Sequence, residues 1–131
     1  MHEIKLATRR TTELLDITEV VQSKLASACQ SNGICTIFCP HTTAGLLINE
    51  CADPAVAHDI VSFLEELVPG NRAWTHAEGN SPAHVKAALV GNALQVAFED
   101  RKLVLGTWQG IFFCEFDGPR QRRIWVQITS E

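Results

Sequence analysis

The segment His76-Ala77-Glu78-Gly79-Asn80-Ser81-Pro82-Ala83-His84 gathers two imidazoles, a carboxylate and an amide within nine residues. Ser81-Pro82 reads as an N-cap followed by proline at the first helical position, where the missing N–H costs nothing. His84 then falls in the first helical turn. Unpaired backbone N–H groups there make the potential positive, which favours a bound phosphate or carboxylate and disfavours added positive charge. Neutral imidazole is the form that binds a metal or serves as a general base.

Of the five histidines, His41, His76 and His84 are the candidates for a site. His2 is terminal, and His58, beside Asp59 on a helix, reads as surface. Three imidazoles suit Zn²⁺ or a similar transition metal. The His76-to-His84 spacing matches no standard zinc motif, however, and ordinary hydrogen-bonded histidines are the other reading. A second group is Asn49, Glu50, Asp53 and Asp59. Asp53 reads as a helix cap, whereas Glu50 ends an apolar strand and is expected to face a cleft. The third group runs Gly106-Thr107-Trp108-Gln109-Gly110, then Glu115-Phe116-Asp117-Gly118-Pro119-Arg120. Trp108 reads either as a core residue or as a platform for a planar ligand. Arg120, Arg122 and Arg123 read either as solvated surface or as a phosphate clamp. Phosphate-binding glycine loops, dinucleotide fingerprints and the G-x-S-x-G elbow are absent, which argues against the common nucleotide-binding and serine-hydrolase classes.

The elements that must carry these residues follow from patterning. Glu3 to Arg9 alternates as a strand, with Thr12 to Ile17 as its expected hairpin partner. Asp16 and Glu19 have capping-box spacing ahead of a helix with the apolar stripe Val21, Leu25 and Ala28. Gly33 to Cys39 and Ala44 to Asn49 read as strands. Asp53-Pro54 opens a second helix whose buried face is expected to hold Val56, Ile60, Leu64 and Leu67. A loop over Asn71 to Asn80 leads to a short helix from Pro82 to about Val90, stopped by Gly91-Asn92. Strands follow at Leu94 to Phe98, over a long stretch from Lys102 to Phe116, and at Arg123 to Thr129. Gly106 and Gly110 within the long stretch suggest bulges or close backbone approach. This order predicts an α+β fold: one domain over 1–131, a mainly antiparallel sheet and about three helices.

The bulk numbers are those of a globular domain: 131 residues, 46% hydrophobic and 20% charged. A net charge of −4 gives no basic surface for nucleic acid. No apolar run approaches the roughly 18 residues of a membrane span, and the polar start is no signal peptide. The five cysteines, Cys29, Cys35, Cys39, Cys51 and Cys114, include no C-x-x-C pair, and most lie in apolar surroundings. A cytoplasmic protein is expected, with neither membrane nor nucleic-acid partners.

The ordered set His41-Thr42-Thr43-Ala44, Asn49-Glu50, Asp53-Pro54, Asp59, Glu78-Gly79-Asn80, Ala83-His84, Lys86, Leu105 to Gln109 and Glu115 to Arg120 with Arg122 resembles the YjbQ-like family, known as secondary thiamine-phosphate synthase. The resemblance implies a compact α+β domain assembled as a homotrimer. It implies that His41, His76 and His84 are the site histidines and metal ligands. Glu50, Glu78 and Glu115 would be the catalytic carboxylates, with Asn80, Ser81, Trp108, Gln109, Arg120 and Arg122 binding a small phosphorylated substrate. The implied reaction joins hydroxymethylpyrimidine diphosphate to thiazole phosphate and releases pyrophosphate. It requires a cation, Mg²⁺ if the synthase reading holds, although three histidines suit Zn²⁺ better than Mg²⁺. Two further readings stand beside it: a transition-metal hydrolase with Glu50 or Glu78 as base, and a non-catalytic trimer that binds a metal or small anion.

Overall fold

A computed structural model describes residues 1–131. In chain order the elements are β1 (His2–Ala7), β2 (Glu13–Asp16), α1 (Thr18–Ala26), β3 (Gly33–Phe38), β4 (Ala44–Glu50), α2 (Pro54–Leu67), α3 (Ser81–Val90), β5 (Ala93–Glu99), β6 (Lys102–Leu103), β7 (Gln109–Glu115) and β8 (Gln121–Ser130). They form two antiparallel sheets, one in the order β1-β8-β3-β5-β6 and the other β2-β7-β4. The expected α+β class with three helices is the fold observed.

Alternation along the strands sets the core. Ile124 and Val126 of β8, Cys35 and Ile37 of β3, and Val96 and Phe98 of β5 point to one face of the larger sheet. There they meet Leu46 of β4 and Ile111 and Phe113 of β7. Val21 and Leu25 of α1 complete this cluster and are fully buried. Val21 and Leu25 of the predicted stripe therefore work as the sequence predicts, whereas Ala28 lies beyond the end of the helix. β7 is central in the smaller sheet and covered on both faces: Ile111 and Phe113 face the main core, while Cys114, with Phe116 just beyond the strand, packs on Ala83 and Ala87 of α3. This double coverage explains its nearly unbroken apolar run.

Several local expectations are corrected. β1 and β2 are not a hairpin; β1 pairs with β8, β2 pairs with β7, and the two lie in different sheets. The stretch Lys102 to Phe116 is two strands, because the chain leaves the larger sheet after Leu103 and enters the smaller one at Gln109. Gly106 lies in that crossing, and Gly110 marks a close approach: a Cβ there would stand 2.6 Å from Cys51 Cβ. At α1, the Asp16 carboxylate accepts from the Thr18 N–H at 3.0 Å and the Thr18 hydroxyl at 2.6 Å, and Glu19 adds no hydrogen bond of its own. Asp53 caps α2 as expected, accepting from the Ala55 N–H at 2.9 Å. The predicted face of α2 is only half covered. Val56, Ile60 and Leu64 are half-buried, Leu67 is exposed, and Phe63 beside them is 60% exposed. No helix is long and apolar enough to cross a membrane.

Candidate functional site

β4 begins just after His41-Thr42-Thr43, β7 ends in Glu115 beside it, and the turn Asp117 to Arg120 leads back into β8. The N-terminus of α3 arrives at the same end, carrying Asn80 and His84. The result is an open cleft of about 420 Å³ with no hydrophobic residue in its lining. His41, His76, His84, Glu78, Arg120 and Arg122 all line it. Asn80, rather than Ser81, is the N-cap of α3, so Ser81 and Pro82 occupy the first two helical positions. The Asn80 side chain does not cap the helix. It is drawn instead to Asp117, donating from Nδ2 to Oδ2 at 2.9 Å, and its Oδ1 is buried with no partner.

The arginines differ in state. Arg120 donates from Nε to the Asp117 carbonyl at 2.8 Å and from Nη2 to the Asp117 carboxylate at 3.0 Å, yet its side chain is half exposed to the cleft. Arg122 is buried. Its Nε donates to Glu115 Oε1 at 2.8 Å, and its Nη2 donates to Glu115 Oε2 and to the Thr43 hydroxyl. Nη1 has no hydrogen-bond partner in the chain and is not among the buried unpartnered atoms, so it is the donor Arg122 keeps for solvent or a ligand.

Glu115 is fully buried, and this corrects its expected role as a catalytic carboxylate. Burial alone would raise its pKa. The Arg122 hydrogen bonds, the Thr8 hydroxyl donating at 2.7 Å and the Asp117 N–H donating at 3.0 Å outweigh burial and hold it below the usual carboxylate range. With its oxygens so occupied, Glu115 fixes Arg122 rather than accepting substrate protons. Glu78 is the free carboxylate of the cleft, with its side chain 75% exposed and 3.9 Å from His76 Nε2.

His76 and His84 meet edge to face, with ring centroids 5.2 Å apart. His41 stands differently. Its Nε2 accepts from the Arg123 main-chain N–H at 3.0 Å, so in the neutral ring Nδ1 carries the proton. Burial first, then the neighbouring Arg122 charge, push its pKa below the ordinary imidazole value. No group of three His, Cys, Asp or Glu side chains has the placement to hold a metal ion. The three expected ligands therefore share a cleft without forming a coordination set within one chain, and His41 already spends its lone pair on a backbone donor.

The remaining predicted residues lie elsewhere. Glu50 pairs with Gln109 at the far end of β4 and β7, roughly 20 Å along the strand from the cleft. Trp108 is 63% exposed there. Gln109 closes its own turn: its Oε1 accepts from the Gly106 N–H at 2.8 Å. Ser81 is buried in the first turn of α3 and is not part of the cleft wall. Conversely, Thr42, Thr43 and Asp117 line the cleft and were not singled out as site residues. In the sequence they stand only inside larger runs, Thr42 and Thr43 after His41 and Asp117 between Glu115 and Arg120. The buried cysteines Cys35, Cys39 and Cys114 stay outside the cleft wall, and burial raises their thiol pKa values.

Fold and site together define a class: a two-sheet α+β domain with a polar histidine–arginine cleft where β4 starts and β7 ends. The chain belongs to the YjbQ-like, UPF0047 family, whose description matches residues 2–131. It is 48% identical over 131 residues to a UPF0047 protein of Methanocaldococcus jannaschii, covering 100% of this chain and 95% of that one. It is 43% identical over 128 residues to UPF0047 protein YugU of Bacillus subtilis, covering 97% of each. A YjbQ/UPF0047 crystal structure from Clostridium acetobutylicum superposes with a TM-score of 0.96 at 46% identity, covering 98% of this chain and 100% of that one. A YbjQ-like protein of unknown function from Sulfolobus solfataricus superposes with a TM-score of 0.94 at 38% identity, covering 99% of this chain and 96% of that one. None of these relatives is named for thiamine-phosphate synthesis or for hydrolysis. Family membership is established; the synthase activity implied by the resemblance does not follow from it.

Proposed function

We propose that the cleft binds the phosphate or diphosphate of a small molecule and catalyses a displacement at that group. One observation carries this reading: three imidazoles and two guanidinium groups line a single cleft that has no apolar wall. Arg120 and the free Nη1 of Arg122 are planar donors suited to phosphate oxygens. Asp117 and Glu115 hold the two guanidinium groups in place, which lowers the cost of ordering them when ligand binds. Glu78 and the His76–His84 pair supply proton acceptors and donors at the same wall.

Hydrolysis fits this lining better than synthesis of thiamine phosphate. A pyrimidine carbocation calls for an aromatic or apolar surface, and Trp108, the expected platform, lies at the far end of β7. In the hydrolytic form, Glu78 or an imidazole takes a proton from water as it attacks phosphorus, and another imidazole protonates the leaving oxygen. The synthase form draws on the family resemblance and on the two arginines, which would hold a departing pyrophosphate. A panel of phosphate monoesters and diphosphates, run beside the paired thiamine precursors, separates the two. Turnover of the panel that falls in His84→Ala and Arg120→Ala supports hydrolysis. Product from the precursors alone supports the synthase. No turnover of either, with pyrophosphate still bound, leaves a binding protein.

We also propose the homotrimer. The uncovered side chains of Phe63 and Leu67 on α2 and Leu89 on α3 support it, since a second copy would bury them. Light scattering tests it, and a monomeric mass refutes it.

A further inference from the structure

Behind the wall formed by His41 and Arg122 lies a second hollow, of about 310 Å³, which the proposed function does not use. Its lining is Glu3, Lys5, His41, Gln121, Arg122 and Arg123. Lys5 on β1 stands directly opposite Arg123 on β8. Both are exposed, on the outer face of the larger sheet. Like charges directly opposite one another on paired strands repel, with Cβ atoms only about 5 Å apart. Arg122 also borders the hollow, but its guanidinium is buried on the cleft side and its charge is balanced by Glu115. Glu3 is the lone carboxylate there, and it is placed opposite Trp125 rather than between the two cations. The Trp125 ring, 5.9 Å from the Arg123 guanidinium carbon, offsets that charge in part. In a chain of net charge −4, two facing cations, Lys5 and Arg123, against the single carboxylate Glu3 at one hollow are a local inversion of sign.

We propose that this hollow is a second anion subsite, taking a phosphate group between Lys5 and Arg123. Resting on the phosphate reading of the cleft, it implies a substrate, or a substrate pair, with two phosphorylated ends that meet at His41. A phosphate there relieves the Lys5–Arg123 repulsion and accepts from donors on two strands. Arg122 and His41 belong to both walls, so the two subsites are contiguous. The main-chain N–H of Arg123 holds the His41 ring in place, which ties the imidazole at the junction to the strand that carries the new subsite.

The test counts bound inorganic phosphate on the intact chain by calorimetry, with histidine side-chain NMR to report where it binds. The wild-type chain should take two equivalents, and the Lys5→Ala/Arg123→Ala variant one. The affinity of the lost equivalent should fall by about tenfold or more. Both side chains are exposed, and the Arg123 N–H survives the substitution, so the variant keeps the His41 contact. Without phosphate it should be no less stable than wild type, because a repulsion has been removed. Filling the second hollow should move the His41 signals and leave those of His76 unchanged. Equal stoichiometry and affinity in wild type and double variant overturn the proposal. Arg120→Ala separates the two readings. Loss of the other equivalent in that variant supports the cleft. If Arg120→Ala changes nothing while Lys5→Ala/Arg123→Ala abolishes binding, the cleft reading fails and the second subsite stands. No bound phosphate in wild type overturns both.

Discussion

Glu115 and Arg122 are fully buried and almost fully buried respectively, and they are joined by hydrogen bonds from both Nε and Nη2 of the guanidinium. A charge pair held this way is a fixed part of the cleft floor. Removing one partner strands the other, and breaking such a pair costs about 3–5 kcal/mol. Glu115→Ala should therefore lower the unfolding free energy by about that amount in urea titration and release the Thr43 and Thr8 contacts. A loss within the scatter of surface substitutions would contradict this role.

The same pair sets an acid limb. Glu115 is held below the usual carboxylate range in the folded chain, so the unfolded chain binds its proton first as pH falls. Its contribution is present above the ordinary carboxylate pKa and is lost as pH falls through the depressed folded value. His41 acts in the same direction, since its folded pKa also lies below the ordinary imidazole value. Its contribution is present above that ordinary value and declines as pH falls through the folded one. Stability measured against pH should fall on the acid side in two stages, and Glu115→Gln should flatten the lower one. An NMR titration in which His41 protonates at or above about 6.5 would contradict the His41 assignment.

Gly118 has no room for a side chain. A Cβ there would stand 2.3 Å from the Arg10 carbonyl oxygen and 2.8 Å from Glu115 Cγ. Gly118→Ala must shift the turn that carries Asp117 and Arg120. It should cost about 1–3 kcal/mol by overpacking, and it should weaken phosphate binding beyond any effect on folding. Unchanged thermal stability would show that the turn is not packed as described.

Phe63 and Leu67 leave the face of α2 half covered. Phe63→Glu should therefore shift the mass seen by light scattering towards the monomer, with little loss in the stability of the single chain. A trimeric mass for both proteins would place the subunit contact on another face.

Much of the fold was legible because short-range rules decided it. The apolar runs of β3 and β4, the alternation in β8 and the Asp53-Pro54 cap depend on residues next to one another in sequence. The corrected elements are those whose pairing is long-range. Nothing local tells Thr12 to Ile17 that its partner is Phe112 to Glu115 rather than β1, or that Lys102 to Phe116 changes sheets at Gly106. The site divided in the same way. His41, His76, His84, Asn80, Arg120 and Glu78 do meet in one cleft. Glu50, Trp108 and Gln109 do not, because β4 and β7 run the length of the sheet between the two groups. The family resemblance implies a catalytic Glu115, but its burial and its Arg122 partner, which give it a different task, appear only in three dimensions.

The central claim is that the histidine–arginine cleft recognises phosphate oxygens. Calorimetric titration of pyrophosphate into the wild-type chain and into Arg120→Ala tests it most directly. Arg120 is half exposed, so its removal should spare the fold. Wild type should bind pyrophosphate, and Arg120→Ala should bind it about tenfold or more weakly, the effect of losing one charged donor pair. Equal affinity in the two proteins, or no binding by wild type, would contradict the account.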